Sequence, residues 1–279
     1  MIEGQPSRTA LSAAAHRAAH QELEGGQIFR DDLALPILGQ EGVEMLQEAR
    51  TVPQRRPMRI FVASRSRFTE DCVAASVAEG LTQLVVLGAG LDTFAYRNPF
   101  ASQLTIIEVD HPATQAWKRR RLAEAGIAIP PTLRYAPVDF EHETLSDALQ
   151  AAGFDPERRS FFMWLGVVPY LTEAAIFATL RLIARMPGGA EVVFDYGDPP
   201  ATMPAESRDL MVAYAARVAA MGESWLSFFE ADDLRTRLLA CGFADVEDLG
   251  LADLAARYFP HAVVPPGRKG GHVVRALRR

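Results

Sequence analysis

The chain has 279 residues, of which 49% are apolar and 23% charged, and a formal net charge of −6. That length and composition suit one large α/β domain, or such a domain with a cap. They exclude the basic surface that nucleic acid selects, because KRRR at 118–121 and RKGG at 268–271 are the only basic clusters and read as solvated faces.

The N-terminal stretch TALSAAAHRAAH is interrupted by His16, Arg17 and His20 and lacks the apolar segment of a signal peptide. No run approaches the roughly 20 apolar residues of a membrane span. Cys72 and Cys241 stand outside any CxxC pattern, so reduced thiols in a cytoplasmic protein are expected. Residues 9 to about 80 carry helical periodicity and no good strand, with Leu33, Leu35, Ile37 and Leu38 suggesting a buried turn. We read 1–80 as a helical N-terminal cap and 81–279 as the core.

From residue 83 the pattern alternates. QLVVLG, QLTIIEVD, LRYAPVD, SFFMWLGV and AEVVFDY are short, apolar and β-rich. Helical segments lie between them, one from Pro112 to Gly126 and one from Thr172, a plausible N-cap, to about Met186. A mostly helical insert spans about 201–228. EADDLRTRLLACGF then predicts a helix ending at Gly242, and ADVEDLGL and GGHVVRAL predict two strands with no helix between them, an antiparallel pair at the sheet edge. Strand–helix alternation implies right-handed crossovers and a parallel sheet with both faces covered. Seven strands in this sequence predict an α/β fold of the class I methyltransferase plan, a Rossmann-like sheet, whereas a nicotinamide dehydrogenase usually has six parallel strands.

The first strand ends in Gly88-Ala89-Gly90, where a cofactor can approach a bare backbone. A dinucleotide site needs a third small residue at the position held here by Thr93, and the Asp92 carboxylate would repel a pyrophosphate. The sulfonium and ammonium of S-adenosyl-L-methionine tolerate that acid. In IIEVDHP, Asp110 lies 20 positions after Gly90 at the end of the second strand, where an acid accepts the ribose hydroxyls of an adenosyl group; Glu108 alternates to the other face. In YAPVDF, Asp139 can take the adenine amino hydrogens and the N–H of Phe140 a ring nitrogen. The bland alternative for Asp139 is the N-cap of the next helix.

TALSAAAHRAAH, IFRDDLALPILG, ASRSRFTED, VVLGAGLDTFAYR, IEVDHPATQAWKRRRL, VDFE, WLGVVPYLT and the late ARYF together resemble the leucine carboxyl methyltransferase superfamily, in its bacterial tetracenomycin-type O-methyltransferase branch. The resemblance covers most of the chain. It implies S-adenosyl-L-methionine as methyl donor and S-adenosyl-L-homocysteine as product. It implies cofactor contacts from Gly88, Ala89, Gly90, Asp110, His111, Asp139 and Phe140. Arg65 matches an arginine that grips the methionine carboxylate, and Arg17 a second basic residue with that role. Five residues before Tyr170 the family often has Glu, and here stands Leu165; backbone carbonyls near Leu165 and Gly166 are the expected substitute.

Methyl transfer needs alignment and exclusion of water more than a strong base. A carboxylate acceptor is ionised at neutral pH, while a phenol or alcohol would profit from a base. His16, His20, His261, Tyr214 and Tyr258 are candidates, none with a motif that names it. His16 and His20 share the i, i+4 spacing of a helical metal pair but lack a third ligand, so no metal is expected. Met203, Met211, Met221, Trp225, Phe228 and Phe229 make the insert apolar. His20, Tyr170 and Trp225 are read as lining the pocket of a small-molecule acceptor, without nucleic acid or membrane as partner. Two alternatives remain: a non-catalytic member that binds the cofactor, and an NAD-dependent oxidoreductase, which no hydride-transfer pair supports.

Overall fold

The computed structural model describes residues 8–139, 142–220, 222–259, 264–265 and 267–278. The chain divides into two compact units, Met1–Phe154 and Asp155–Arg279. Among the described residues there are the seven strands of a mixed α/β sheet, and no helix is long and apolar enough to cross a membrane.

The first unit begins with four α-helices, α1 (Arg8–Leu23), α2 (Ala34–Leu38), α3 (Val43–Thr51) and α4 (Arg56–Ala78), as the periodicity before residue 80 predicts. Ala14, Ala15, Ala18 and Ala19 of α1 are at most 1% exposed, and their small side chains admit close neighbours. They join Ile37, Leu38, Leu46, Leu91, Trp117 and Leu122 in one apolar cluster. The helical segment therefore shares its core with the loop after the first strand and with the helix that carries Trp117. Within α2 the turn buries Ala34, Ile37 and Leu38 but leaves Leu35 49% exposed, a correction to its reading as a core residue.

Three parallel strands follow, β1 (Gln83–Leu87), β2 (Thr105–Asp110) and β3 (Leu133–Pro137), in the order β3-β2-β1. Between β1 and β2 lies the short α5 (Phe94–Arg97), stopped before Pro99. Between β2 and β3 runs α6 (Pro112–Glu124), and Gly126 turns the chain at φ 66°. The unit closes with α7 (Leu145–Ala151). The basic cluster at 118–121 is a second correction. Lys118 is 1% and Arg121 8% exposed, because they share the inner face of α6, while Arg119 and Arg120 face solvent.

In the second unit β4 (Ser160–Trp164) runs parallel to β5 (Ala190–Gly197), with α8 (Glu173–Ala184) between them; the Thr172 hydroxyl accepts the Ala175 N–H at 3.3 Å and caps α8. The insert forms α9 (Ala205–Ala220), and α10 (Ala231–Cys241) ends at Gly242 in the left-handed conformation, φ 110°. β6 (Asp245–Leu249) and β7 (Gly271–Arg278) are antiparallel, and β7 lies between β5 and β6. Between them in sequence stands α11 (Leu251–Tyr258), a correction to the expectation of two strands with no helix between them. Eight residues are too few for a periodicity to stand out. The helix forms because Asp253 accepts the Gly250 N–H at 3.1 Å and Leu254 is buried.

Candidate cofactor and acceptor site

The loop after β1 is pinned to β2 by its own backbone. The N–H groups of Gly88 and Ala89 both donate to the Val109 carbonyl, at 2.9 and 3.1 Å, and the Gly90 N–H donates to Asp110 Oδ2 at 2.6 Å. Gly88 and Gly90 have φ of 63° and 43°, which only glycine adopts without strain. A Cβ on Gly90 would also lie 3.0 Å from the Ala10 Cβ of α1. Packing of the N-terminal helix is thus itself a reason for that glycine.

Asp110 Oδ1 accepts the His111 N–H at 2.7 Å. Burial raises the Asp110 pKa and the two backbone donors oppose it. Each oxygen has used one acceptor direction and keeps another. His111 begins α6, its Nδ1 accepting the Ala113 N–H at 3.2 Å, so the ring proton sits on Nε2 in the neutral form. Asp139 is not the cap of α7: Thr144 is, through a hydroxyl that accepts the Asp147 N–H. The Asp139 N–H instead donates to Glu143 Oε2 at 3.0 Å and its carbonyl accepts from His142 and Glu143. Phe140 lies outside the described residues.

Other motif residues form a clamp. Asp31 is fully buried and accepts Arg17 Nε at 2.7 Å, with Arg97 Nε 3.3 Å from its other oxygen. Burial would raise the Asp31 pKa, but Arg17 and Arg97 outweigh it and hold the carboxyl below its ordinary range. Arg97 also reaches the Thr93 hydroxyl at 3.0 Å and forks onto Glu70. Arg17 Nη2 donates to the Leu91 carbonyl at 2.6 Å. Thr93, in the place of a third glycine, is therefore a buried acceptor for an arginine. Asp92 accepts the Phe94 N–H at 2.8 Å and starts α5. The guanidinium of Arg17 is directed to Asp31 and Leu91, a role that its match to a carboxylate-gripping residue did not foresee.

Arg65 is buried on α4, its guanidinium carbon 5.8 Å from the centre of the Phe61 ring. His16 of α1 is 3% exposed and its Nδ1 has no hydrogen-bond partner. Burial, then the charges of Arg55, Arg59 and Arg65, depress the His16 pKa to about 3. An imidazole among cations is a poor metal ligand and a good neighbour for an anion. No spacing in the sequence pairs His16 with Arg65, so only the packing of α1 on α4 brings it to notice. His20 has no exposure. Its Nδ1 meets Glu24 at 3.2 Å and its Nε2 accepts the N–H groups of Ile28 and Phe29 at 3.3 and 3.4 Å. Both nitrogens are used within the first unit, which takes His20 from the acceptor pocket into the framework.

In the second unit Leu165 and Gly166 follow β4. Gly166 has φ 70° and donates its N–H to Asp195 Oδ1 of β5 at 2.6 Å. A carboxylate thus lies at the end of β4 although residue 165 is not acidic. Tyr170 sits in the 3-10 turn Val168–Tyr170. A strap after α9 is tied to that turn: the N–H groups of Leu226 and Ser227 donate to the Pro169 carbonyl at 2.7 and 3.3 Å, and the Ser227 hydroxyl donates to the Leu171 carbonyl. Phe229 N–H meets the Gly197 carbonyl at 3.1 Å. Trp225 lies against Tyr214 and Phe228, ring centres 5.3 and 6.2 Å apart. Met203 and Phe229 are buried, Met211 and Phe228 half-buried. Met221 and His261 fall outside the described residues. Tyr258 ends α11, with the Arg257 guanidinium 5.7 Å from its ring centre.

Residues 10–184 match the model of the leucine carboxyl methyltransferase family. The Bacillus subtilis (strain 168) protein YktD, named an S-adenosyl-L-methionine-dependent methyltransferase, is 30% identical over 284 residues, 93% of each chain. A Mycobacterium avium protein of the same description is 34% identical over 182 residues, 60% of this chain and 57% of its own. Two solved structures share the fold. A DUF574 family protein from Streptomyces avermitilis aligns with a TM-score of 0.56 and 14% identity over 99% of both chains. The CurJ carbon methyltransferase aligns with a TM-score of 0.54 and 15% identity over 97% of this chain and 67% of its own.

Proposed function

The chain belongs to the leucine carboxyl methyltransferase family, and on that premise we propose that it transfers a methyl group from S-adenosyl-L-methionine to an oxygen of a small molecule. Methyl transfer with this cofactor is the family's activity. Bound, the cofactor supplies a methyl group already activated by the sulfonium.

The observation that carries the reading is Asp110. Its carboxylate is fixed at the end of β2 by the N–H groups of Gly90 and His111 and keeps acceptor directions for two ribose hydroxyls. Gly88 and Gly90 leave the adjoining backbone bare, and Asp139 stands at the end of β3. Arg65 and His16 are the residues we assign to the methionine carboxylate; Arg17 serves by fixing α1 against the β1 loop. An anion beside His16 would raise its depressed pKa and give Nδ1 a partner. In the first unit Ala89 offers backbone beside Gly88 and Gly90; in the second unit Asp195, through the Gly166 N–H, positions the turn after β4 that holds Leu165 and Gly166. The protein's task is then orientation and exclusion of water. A carboxylate acceptor would need no base.

Calorimetric titration tests the reading. S-adenosyl-L-homocysteine should bind with a micromolar-range dissociation constant, about −8 kcal/mol. Asp110→Ala should weaken it by about 1.5–3 kcal/mol, the scale of a charge-assisted hydrogen-bonded group, with the thermal transition retained. Binding of NADH in its place would overturn the assignment. Cofactor binding without transfer of labelled methyl to any carboxylate or hydroxyl acceptor would favour a non-catalytic member.

A further inference from the structure

Glu108 of β2 has no exposure. Strand alternation puts it on the same face as Asp110, two residues on, a correction to the expectation that it faces away. Three elements converge on it. From α6, Lys118 Nζ, also buried, donates to Glu108 Oε1 at 2.8 Å, and Gln115 Nε2 donates to the Glu108 carbonyl at 3.0 Å. From α5, the Tyr96 hydroxyl donates to Glu108 Oε2 at 3.1 Å. From β3, the Tyr135 hydroxyl lies 3.0 Å from that of Tyr96. The Lys118 ammonium also stands 5.1 Å from the centre of the Tyr96 ring. α5 follows the Gly88-Ala89-Gly90 turn and α6 follows Asp110 and His111. The residue that joins these helices thus holds the two loops against each other, beneath the hydrogen bond from Gly90 to Asp110. Packing alone would be served as well by an apolar residue, since a buried ion pair is weak evidence for stability. What the carboxylate adds is direction, because each oxygen binds a different helix.

We propose that Glu108 is a positioning residue for the cofactor: as a carboxylate it holds α5, through Tyr96, and α6, through Lys118, in the arrangement that presents Gly90 and Asp110 to the ribose. This rests on the methyltransferase reading and adds to it a residue that never touches the ligand. The charged and titratable groups around Glu108 are Lys118 and Tyr96, Asp92 of the loop after β1, and Tyr135 with the exposed Arg119 guanidinium 5.1 Å from its ring centre; His111 faces Asp110. Burial pushes the Glu108 carboxyl up to about 6 against the pull of Lys118. Protonation takes the anion from Lys118 and frees α6, so affinity for the cofactor should fall as pH drops through about 6.

The test measures S-adenosyl-L-homocysteine affinity by calorimetry from about pH 8 to about pH 5.5, on either side of the Glu108 value, in wild type, Glu108→Gln and Tyr96→Phe. Glu108→Gln keeps the size of the side chain and removes its charge. At the alkaline end it should bind about tenfold more weakly than wild type, the scale of one hydrogen bond to a charged group. Toward the acid end wild type should fall to the level of the variant, while the variant stays nearly flat. Tyr96→Phe removes one of the two side-chain bonds to the carboxylate and should lose about threefold, keeping the pH limb. Equal affinity of wild type and Glu108→Gln at the alkaline end overturns the proposal. So does a limb that persists in Glu108→Gln, which would belong to Asp110. If Glu108→Gln does not fold, Tyr96→Phe carries the test, and unchanged affinity there overturns the proposal. Hydrogen exchange of the free proteins reads the positioning without ligand. Amides of residues 88–94 and 110–116 should exchange about tenfold faster in Glu108→Gln than in wild type, and those of β5 no faster. No difference in the two loops overturns the proposal. That difference in a wild type that binds no S-adenosyl-L-homocysteine would sink the cofactor assignment and leave Glu108 holding the loops.

Discussion

In the first unit a buried carboxylate, Asp31, is shared by Arg17 and Arg97; in the second an imidazole, His272, is shared by the carboxylates of Asp198 and Asp248, at 3.1 and 2.8 Å. The arrangements are mirror images in charge. The first ties α1 and the segment before α2 to the β1 loop and α5. The second ties β7 to β6 and to the end of β5, with the Tyr196 hydroxyl donating to Asp248 and its ring stacked on His272 at 4.9 Å. Lys269 adds a second cation to Asp198 at 3.0 Å, and its half-buried place corrects the reading of RKGG as a solvated face. A guanidinium does not titrate in any working range, whereas an imidazole does. The two anchors have similar geometry, and the identity of the base leaves one unchanged as pH rises above neutral and makes the other sensitive there.

The largest effect should come from removing the shared carboxylate. Asp31→Ala leaves Arg17 buried without its anion and Arg97 with Glu70 alone, and breaking a buried pair from one side costs about 3–5 kcal/mol. Urea unfolding should show that loss; a change below about 1 kcal/mol would mean that water reaches the clamp.

The His272 anchor should show its difference along the pH axis. Burial pulls the His272 pKa down, but Asp198 and Asp248 hold it at about 9, above the ordinary 6.5. A base whose pKa is raised on folding contributes stability in full below the unfolded value and loses it as pH rises through the folded value. Between pH 6.5 and about 9 the protein should therefore lose about 2–4 kcal/mol. His272→Gln should flatten this limb while Asp31→Ala keeps it. A limb unchanged in His272→Gln would assign it to other groups and dissolve the contrast.

The smallest effect refines the clamp itself. Thr93→Val keeps shape and burial but removes the hydroxyl that accepts Arg97 Nε. Because Glu70 and Asp31 still hold that guanidinium, the loss should be near 1 kcal/mol. A loss as large as that of Asp31→Ala would show that Thr93, and not the carboxylate, is the centre of the clamp.

The sequence by itself determined the alternation of strands and helices, because short continuous apolar, β-rich runs and longer helical runs between turn residues are local properties of the chain. It also determined which helix ends at Gly126, which starts at Thr172 and which stops at Gly242, since capping chemistry lies within a few residues of each boundary. It marked Asp110, because the end of a strand twenty residues after a bare turn is a position that can be counted. What it could not determine is where long side chains go. Arg17 turned from an expected ligand grip to Asp31 and Leu91, His20 from pocket to framework, and Thr93 from a missing glycine to an arginine's acceptor. Lys118 and Arg121 went inward from a run that looks uniformly solvated, and Asp195 brought a carboxylate to the end of β4 from a different strand. For Arg17, Asp195 and Arg121 the partners lie 14 to 84 residues away in sequence. Burial and pairing energies are set by distances in space, and no local pattern in the chain encodes them.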